Sequence, residues 1–559
     1  MRMRSMSAFP ERTAVLFPFS LAVKKDVRAA PPRITQHAHH ALFEYDVLSM
    51  IFDMLDLQDQ RDRATCARSA RVCRAWTEPA SRVLWNGTRW RLRELCTVLL
   101  QHAEGPGTVR RGSAMNKIFK SGGLRRNDAQ RESLLRCGAR VRDLRITQML
   151  QPSQAELRLL QRVLSMSHGT TFLPALLSLS WVEGPLTKAL LLRLVPSSLQ
   201  ELELVLDSDT SLKQVHQMLM GLSKSAPSLR SVRIYAWKSE LFLLEPLLNI
   251  SSMRELSLKG DISVGPTELS KILSSLPLVS FEANIRDFGT WMGAINGGSL
   301  KELHGVGTCA DLTALLMHLR APNLKTIGLN LNIVDAHFDE TTHQHLSQTL
   351  LRFALTLRSL QLNYQKVFAS VRLSANPSPI ALVPDVLAPL FGRLDLERFT
   401  LKSQVRVSLT DEHILQLARG WPTLRWLSLM IYPCESALIP TPAALVHLAK
   451  HCPELQFLRV QLYARQFVPP PPSHLQSLRA RDHPLRTLRQ MNQVDSCWTS
   501  WWTAEFLDSL FPYLAVKTCE EGFDWFTHDG GYSWATVWHA LRIIQATRRP
   551  VEELRLETW

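Results

Sequence analysis

From residue 196 onward the apolar positions return in one phrase, Leu-x-x-Leu-x-Leu with apolar substitutions, often opened by proline. Pro196 precedes Leu199, Leu202 and Leu204; Pro227 precedes Leu229, Val232 and Ile234; Pro322, Pro422 and Pro453 open further copies. Further copies begin at Met253, Leu278 (just after Pro277), Leu300, Leu357 and Leu396, and weaker ones stand near Val141, near Ala175 and in the closing ELRLETW. Side chains two residues apart share one face of a strand, so each phrase predicts a short strand with one apolar face. Between phrases, apolar residues fall three and four apart over 212–222, 266–276, 310–319, 343–355, 411–420 and 442–452. That spacing predicts helices whose stripe packs on the strand layer. Asp411 and Pro442 mark helix starts, and a proline ahead of a strand stops the helix before it.

The first apolar positions step by 30, 24, 25, 22, 24, 33, 39, 28 and 31 residues from Leu199. Leucine-rich repeats have a period of about 20–29 residues. An ordinary α/β sheet would have strands buried on both faces and apolar throughout. Here the partner face carries Glu203, Arg233, Ser257 and Ser428. The prediction is an α/β repeat: an irregular leucine-rich-repeat solenoid, a horseshoe with a solvated concave face. Strand parity nominates Arg233, Tyr235, Trp237, Arg425 and Ser428 on that face as residues contacting a protein target.

Ahead of the repeats, residues 43–85 read as helices. Val47, Leu48, Ile51, Phe52 and Leu55 form one helical stripe, with Asp46 in its first turn, where a negative charge suits the helix dipole. A second helix is expected from about Arg61 to Trp76, and a third from Pro79 to Leu84–Trp85. Fewer than 50 residues make a small core, so this module should need the repeats or a partner to cover its apolar side.

The segment resembles an F-box of the type common in fungal proteins. The matching residues are Asp46, Val47, Leu48, Ile51, Phe52, Leu55, the run Val72-Cys73-Arg74 with Trp76, and the closing Leu84-Trp85. Phe43 and Glu44 stand where that family has Leu-Pro. The resemblance implies a small helical domain docking on a Skp-type adaptor, itself linked to a cullin scaffold, while the repeats choose the target. It assigns adaptor binding to Asp46, Val47, Leu48, Ile51, Phe52, Leu55, Val72 and Trp76.

The 559 residues then divide into a leader (1–40, disordered or loosely packed), the F-box-like domain (41–88), a basic helical or flexible linker (89–140) and the repeats (141–559). A hydrophobic content of 45% with 21% charged residues excludes wholesale disorder. The formal net charge of +15 is concentrated: residues 1–150 hold 27 Lys+Arg against 14 Asp+Glu, the rest 38 against 36. The run from Arg110 to Arg142 accounts for much of this. Single-stranded nucleic acid is bound by basic grooves with interleaved aromatic platforms, and only Phe119 is present, so the run reads as a solvated linker; a phosphate- or acid-binding patch is the alternative. Nine scattered cysteines without a C-x-x-C pair fit a reducing compartment. No apolar run approaches the ~18 residues of a membrane-spanning helix. Arg2, Arg4 and Arg12 ahead of Ala14–Val23 imitate a signal or transit peptide, but Pro18 interrupts the run.

No P-loop, G-x-G-x-x-G or G-x-S-x-G occurs, so no catalytic or cofactor-binding residue is nominated. His337, Asp339, Glu340, His343 and His345 lack the spacing of a metal site, and His447, His451 and Cys452 read as a helix end. Pro469 to Pro472 predict a polyproline stretch in a surface loop. Seven of the 15 tryptophans lie in the last 62 residues and suit a C-terminal cap on the repeats. The expected function is that of a non-enzymatic, intracellular substrate-recognition subunit of an SCF-type ubiquitin ligase, in cytoplasm or nucleus. The alternative is a leucine-rich-repeat scaffold with a degenerate F-box, acting without ubiquitin.

Overall fold

The structure is a computed structural model and describes residues 44–57, 59–87, 90–92, 94–96, 132, 135–145, 154–166, 171–183, 187, 190–207, 210–237, 245–333, 340–366, 386–432, 439–462, 483–490, 500–515 and 534–548. The leader, the basic run from Arg110 to Arg131, the polyproline stretch, His337, Asp339 and Trp498, Trp525 and Trp559 lie outside them. The chain has an α/β repeat fold divided into two compact units, one of Met1–Ala236 with Leu243–Ser252, the other of Trp237–Phe242 with Met253–Trp559.

The first unit opens with three helices, α1 (Tyr45–Asp53), α2 (Gln60–Ser69) and α3 (Arg74–Gly87). The Asp59 side chain caps α2 by accepting from the Arg61 amide at 3.1 Å, which satisfies one of the orphan donors of the first turn. The expected single helix from Arg61 to Trp76 is broken. After Ala70 the amides of Arg71 and Val72 bond to the carbonyls of Arg68 and Ser69, and these tight i→i+3 bonds turn the chain out of α2. The third helix therefore starts at Arg74 and carries Pro79 inside it. Leu48, Phe52, Leu57, Cys66, Ala80, Val83 and Leu84 form the core. The Cys66 thiol donates to the Ala80 carbonyl at 3.3 Å, tying α2 to α3, and burial pushes its pKa up to about 11. Arg63 fixes the loop after α1 by donating from Nε and Nη2 to the Leu57 carbonyl.

The three helices run directly into a parallel sheet of β1 (Trp90–Arg91), β2 (Asp143–Arg145), β3 (Ser178–Glu183), β4 (Glu201–Leu206) and β5 (Ser231–Ala236), paired in chain order. Trp85 at the end of α3 stacks on Trp90 of β1 at 4.7 Å, and Arg140 pairs with Glu78 of α3 at 2.9 Å. Residues 90–92 and 94–96, expected at the start of a linker, instead form β1 and buried packing after it: Leu92, Leu95 and Cys96 are buried. Register places Leu144, Leu179, Leu202 and Val232 in one buried row.

In the second unit the main sheet comprises β6 (Glu255–Gly260), β7 (Ser263–Val264), β8 (Ser280–Ile285), β10 (Glu302–Gly307), β12 (Thr326–Ile333), β13 (Ser359–Lys366), β14 (Arg398–Arg406), β15 (Trp426–Tyr432), β16 (Phe457–Val460) and β17 (Thr487–Gln490), all parallel; β9 (Ile295–Asn296) pairs separately with β11 (Leu319–Arg320). Leu303, Ile327, Leu360, Phe399, Leu427 and Leu458 continue one buried row from strand to strand. The intervening helices include Pro266–Ser275, Cys309–His318, Asp411–Gly420 and Ala443–His451. The last two end alike: Trp421 and Cys452 leave the helical region at φ −134°, ψ 69° and φ −118°, ψ 71°, each just before a proline. Proline disfavours the helical region for the residue ahead of it, which is why the helix ends there.

A second repeated device is polar. The residue just before the first leucine of a phrase hooks onto carbonyls of the preceding repeat. Ser198 donates to Pro174 and Leu176, and Ser252 to Pro227 and Leu229, in the first unit. Ser299, Asn323 and Thr423 donate to Leu278, Gly298 and Leu396 in the second. Carbonyls at the strand entrances that the sheet leaves over are thereby satisfied.

Candidate interaction surfaces

Helix α1 has apolar residues on two faces. Leu48 and Phe52 are buried in the three-helix core, with Leu55 and Trp76 packed against it. A second stripe, Val47, Met50, Ile51 and Met54, follows the i, i+3, i+4, i+7 pattern. Met50 is 64% exposed, Ile51 44% and Met54 86%. Val72, in the turn after α2, is 65% exposed. Asp46 is exposed and Val47 half-buried. Beside the stripe, Arg82 lies 5.5 Å from the centroid of the Tyr45 ring.

The adaptor-binding residues expected from sequence therefore fall into two sets. Ile51, Val72, Asp46 and Val47 are on the surface. Leu48 and Phe52 are interior, while Leu55 and Trp76 support that interior, because the stripe they form is the one the module uses for its own core. Met50 and Met54 were missed. Their signal was present in the sequence, as apolar residues that complete the i, i+3, i+4, i+7 series Val47, Met50, Ile51 and Met54.

The residues expected from sequence to contact a target are dispersed. Arg233 is exposed and Tyr235 half-buried on β5, where Arg233 lies in register with Glu203 of β4. Trp237 belongs to the second unit and is 54% exposed. Arg425 is exposed and engaged by Glu454 at 2.8 Å. Ser428 is buried. It has the expected parity, but it is a small residue between Trp426 and Met430 along its strand and in register with Arg459, and larger side chains on the same face cover it.

The solvated face of the second sheet has a chemical gradient that follows from register. At one end, Glu255, Glu282 and Glu302 project from β6, β8 and β10; Glu282 accepts from Ser257 at 2.7 Å and pairs with Lys259 at 3.0 Å. The middle is neutral, and Asn363 donates to Asn330 at 2.9 Å across β12 and β13. At the other end, one row runs Arg398, Trp426, Phe457 and Thr487, and the next Thr400, Ser428, Arg459 and Arg489. Trp426 lies flat on Phe457, ring centroids 3.5 Å apart and planes 4° apart, and Arg489 sits 5.7 Å from the Phe457 centroid. Sequence reading did not single out this cluster, because its members are 28–31 residues apart and meet only through the register.

The other candidates pack or point outward. His343 is buried and stacked on Tyr364, while His345 is exposed. Among the described residues no group of three or more His, Cys, Asp or Glu is placed to hold a metal ion, and no helix is long and apolar enough to cross a membrane. Cys452 is buried and its thiol pKa is pushed up to about 12 by burial. In the C-terminal pair of helices, Ser500–Leu510 and Trp534–Arg548, Trp538 is buried and Trp501 and Trp502 are partly exposed.

No family model matches the chain, and no curated protein matches it. Among solved structures, the chain is similar to the leucine-rich repeat-containing protein LegL7 from Legionella pneumophila at 15% identity, over 52% of this chain and 93% of that one, with a TM-score of 0.31. It is similar to a leucine-rich-repeat protein of Leptospira interrogans at 16% identity, over 70% and 98%, with a TM-score of 0.27. A chain of the Rad7 and Elc1 complex in yeast is similar at 16% identity, over 78% and 93%, with a TM-score of 0.33.

Proposed function

We propose that the protein is a substrate-recognition subunit of an SCF-type ubiquitin ligase, whose helical module docks on a Skp-type adaptor while its repeats hold the target. The observation that carries this reading is the second apolar stripe of α1. A helix of a globular protein ordinarily turns its apolar residues toward a core, and α1 spends only one of its two apolar faces on its own core. Met50, Ile51 and Met54 are left in water on a module of three short helices. Contiguous exposed apolar surface of this kind marks a protein interface. The module resembles an F-box over these same residues, which supplies the identity of the partner. In this reading the protein works inside the cell, needs no chemistry of its own, and positions a target for other subunits.

The test is co-expression of the full chain with a Skp-type adaptor, followed by size-exclusion chromatography. Co-elution of wild type, and its loss on Ile51→Asp, support the reading. A folded wild-type chain that elutes without the adaptor supports the scaffold alternative instead.

A further inference from the structure

We infer that the β14–β17 end of the second sheet is a docking site for a short acidic segment of a target protein, with carboxylates on Arg398, Lys402 and Arg459 and an apolar side chain on Trp426. This rests on the reading of the repeats as a target-binding surface and adds the chemistry of the target. The first observation is charge. The strands β14, β15, β16 and β17 contain no Asp or Glu. Arg398 and Lys402 are exposed, and among the described residues neither has an ion-pair partner. Of the nearby acids, Asp395 pairs with Arg358 at 3.5 Å and accepts from Thr423, Glu454 holds Arg425, and Glu397 adds its negative charge beside Arg425.

The second observation is the aromatic pair. Trp426 is 39% exposed even though one of its faces is covered by Phe457. The pair gives a rigid apolar platform set among cations, the composition of a binding hot spot rich in Trp and Arg. Adjacent strands are about 4.8 Å apart, so four strands span about 14 Å, the length of four or five extended residues at about 3.3 Å each.

A peptide fits better than a nucleic acid. The two rings fill each other's stacking face, which leaves no slot for a base between them. The same sheet face also carries Glu255, Glu282 and Glu302 at its other end, where a phosphate backbone following the rows would be repelled. A peptide can confine its negative charge to one stretch.

The experiment measures fluorescence anisotropy of the full-length chain, without adaptor, against three labelled probes: a decapeptide of Asp and Glu with a central Phe, the same peptide with Lys for each acid, and a ten-nucleotide oligothymidine. The acidic peptide is expected to bind, to weaken as salt rises, and to lose at least tenfold in affinity with Arg398→Glu/Lys402→Glu. Both substituted residues are exposed, so the fold should survive, as circular dichroism and the thermal midpoint will report. Trp426→Leu, which keeps every charge, should lose threefold or more. Lys271→Glu, at an exposed position on the helix Pro266–Ser275, should leave binding unchanged. Failure of the acidic peptide to bind, equal binding of the lysine peptide, tighter binding of the oligonucleotide, or a folded double variant that binds like wild type would each overturn the inference. Adaptor binding is read separately, so its loss and the loss of peptide binding can be told apart.

Discussion

Phe52 and Trp76 meet edge to face, with ring centroids 5.8 Å apart and planes at 72°. Both belong to the family-like pattern of the helical module, and both hold it together from within. Substitution at Phe52 and at Ile51, adjacent in sequence, should therefore separate stability from docking. Phe52→Ala removes a buried ring and should cost about 3–5 kcal/mol. Ile51→Ala, on the exposed stripe, should stay within about 0.5 kcal/mol. Urea denaturation followed by circular dichroism checks both values. Similar losses at the two positions would mean that Ile51 is also core.

Glu183 is a buried carboxylate surrounded by neutral donors. Its Oε2 accepts from Trp181 Nε1 at 2.8 Å and from Thr187 Oγ1 at 3.4 Å, and its Oε1 from Gln214 Nε2 at 3.1 Å. Glu183→Ala should cost about 1–3 kcal/mol, because it leaves buried donors without acceptors. Trp181→Phe, which removes one donor and keeps most of the apolar volume, should cost less. Thermal denaturation of the two variants gives the order.

The inter-repeat hooks predict a smaller, repeated effect. Ser252→Ala deletes a hydroxyl that bonds Pro227 and Leu229, each at 2.7 Å, and should destabilise by about 1 kcal/mol. Hydrogen exchange should show the loss around β5, since nearest-neighbour contacts dominate a repeat array. A uniform loss across the whole chain would contradict this.

His483 predicts an acid limit to stability. It is buried, donates from Nε2 to the Cys452 carbonyl at 3.1 Å, and accepts at Nδ1 from the Leu485 amide at 3.3 Å. These bonds hold the neutral ring, and a proton on Nδ1 would face an N–H. Burial lowers the pKa below 6.5, against a weaker opposing effect of the bond to Cys452. A depressed folded pKa means that the unfolded chain takes up the proton first. The contribution of His483 is thus complete above pH 6.5 and is lost as pH falls toward the folded value. The unfolding midpoint should drop as pH falls below 6.5, and His483→Gln should flatten part of that slope. An unchanged slope would place the acid sensitivity elsewhere.

The repeats were legible because each leucine phrase enforces its own strand. The expected helix 411–420 coincides with Asp411–Gly420, and 266–276 differs from Pro266–Ser275 by one residue. The break between α2 and α3 was hidden, since the turn at Arg71–Val72 depends on i→i+3 bonds rather than on glycine or proline. In α1, periodicity revealed an apolar helix but could not say which of two stripes turns inward; packing against Cys66, Ala80 and Val83 decides that. On the solvated strand face, Ser428 is buried although its neighbours Trp426 and Arg425 are exposed, a difference that strand alternation alone does not contain. The arginine–aromatic cluster depends on strand register, which no local pattern contains.

The most direct test of the account is the affinity of the full chain for a Skp-type adaptor, measured by isothermal titration calorimetry for wild type and for Met50→Asp/Met54→Asp. These two side chains are the most exposed of the α1 stripe and contribute little to its core, so the double variant should keep the wild-type thermal midpoint. The account predicts tight binding by wild type and at least a hundredfold loss in the variant, since a charge buried in an apolar interface is strongly penalised. Undiminished binding by the variant, or no heat from a folded wild-type chain, would contradict it.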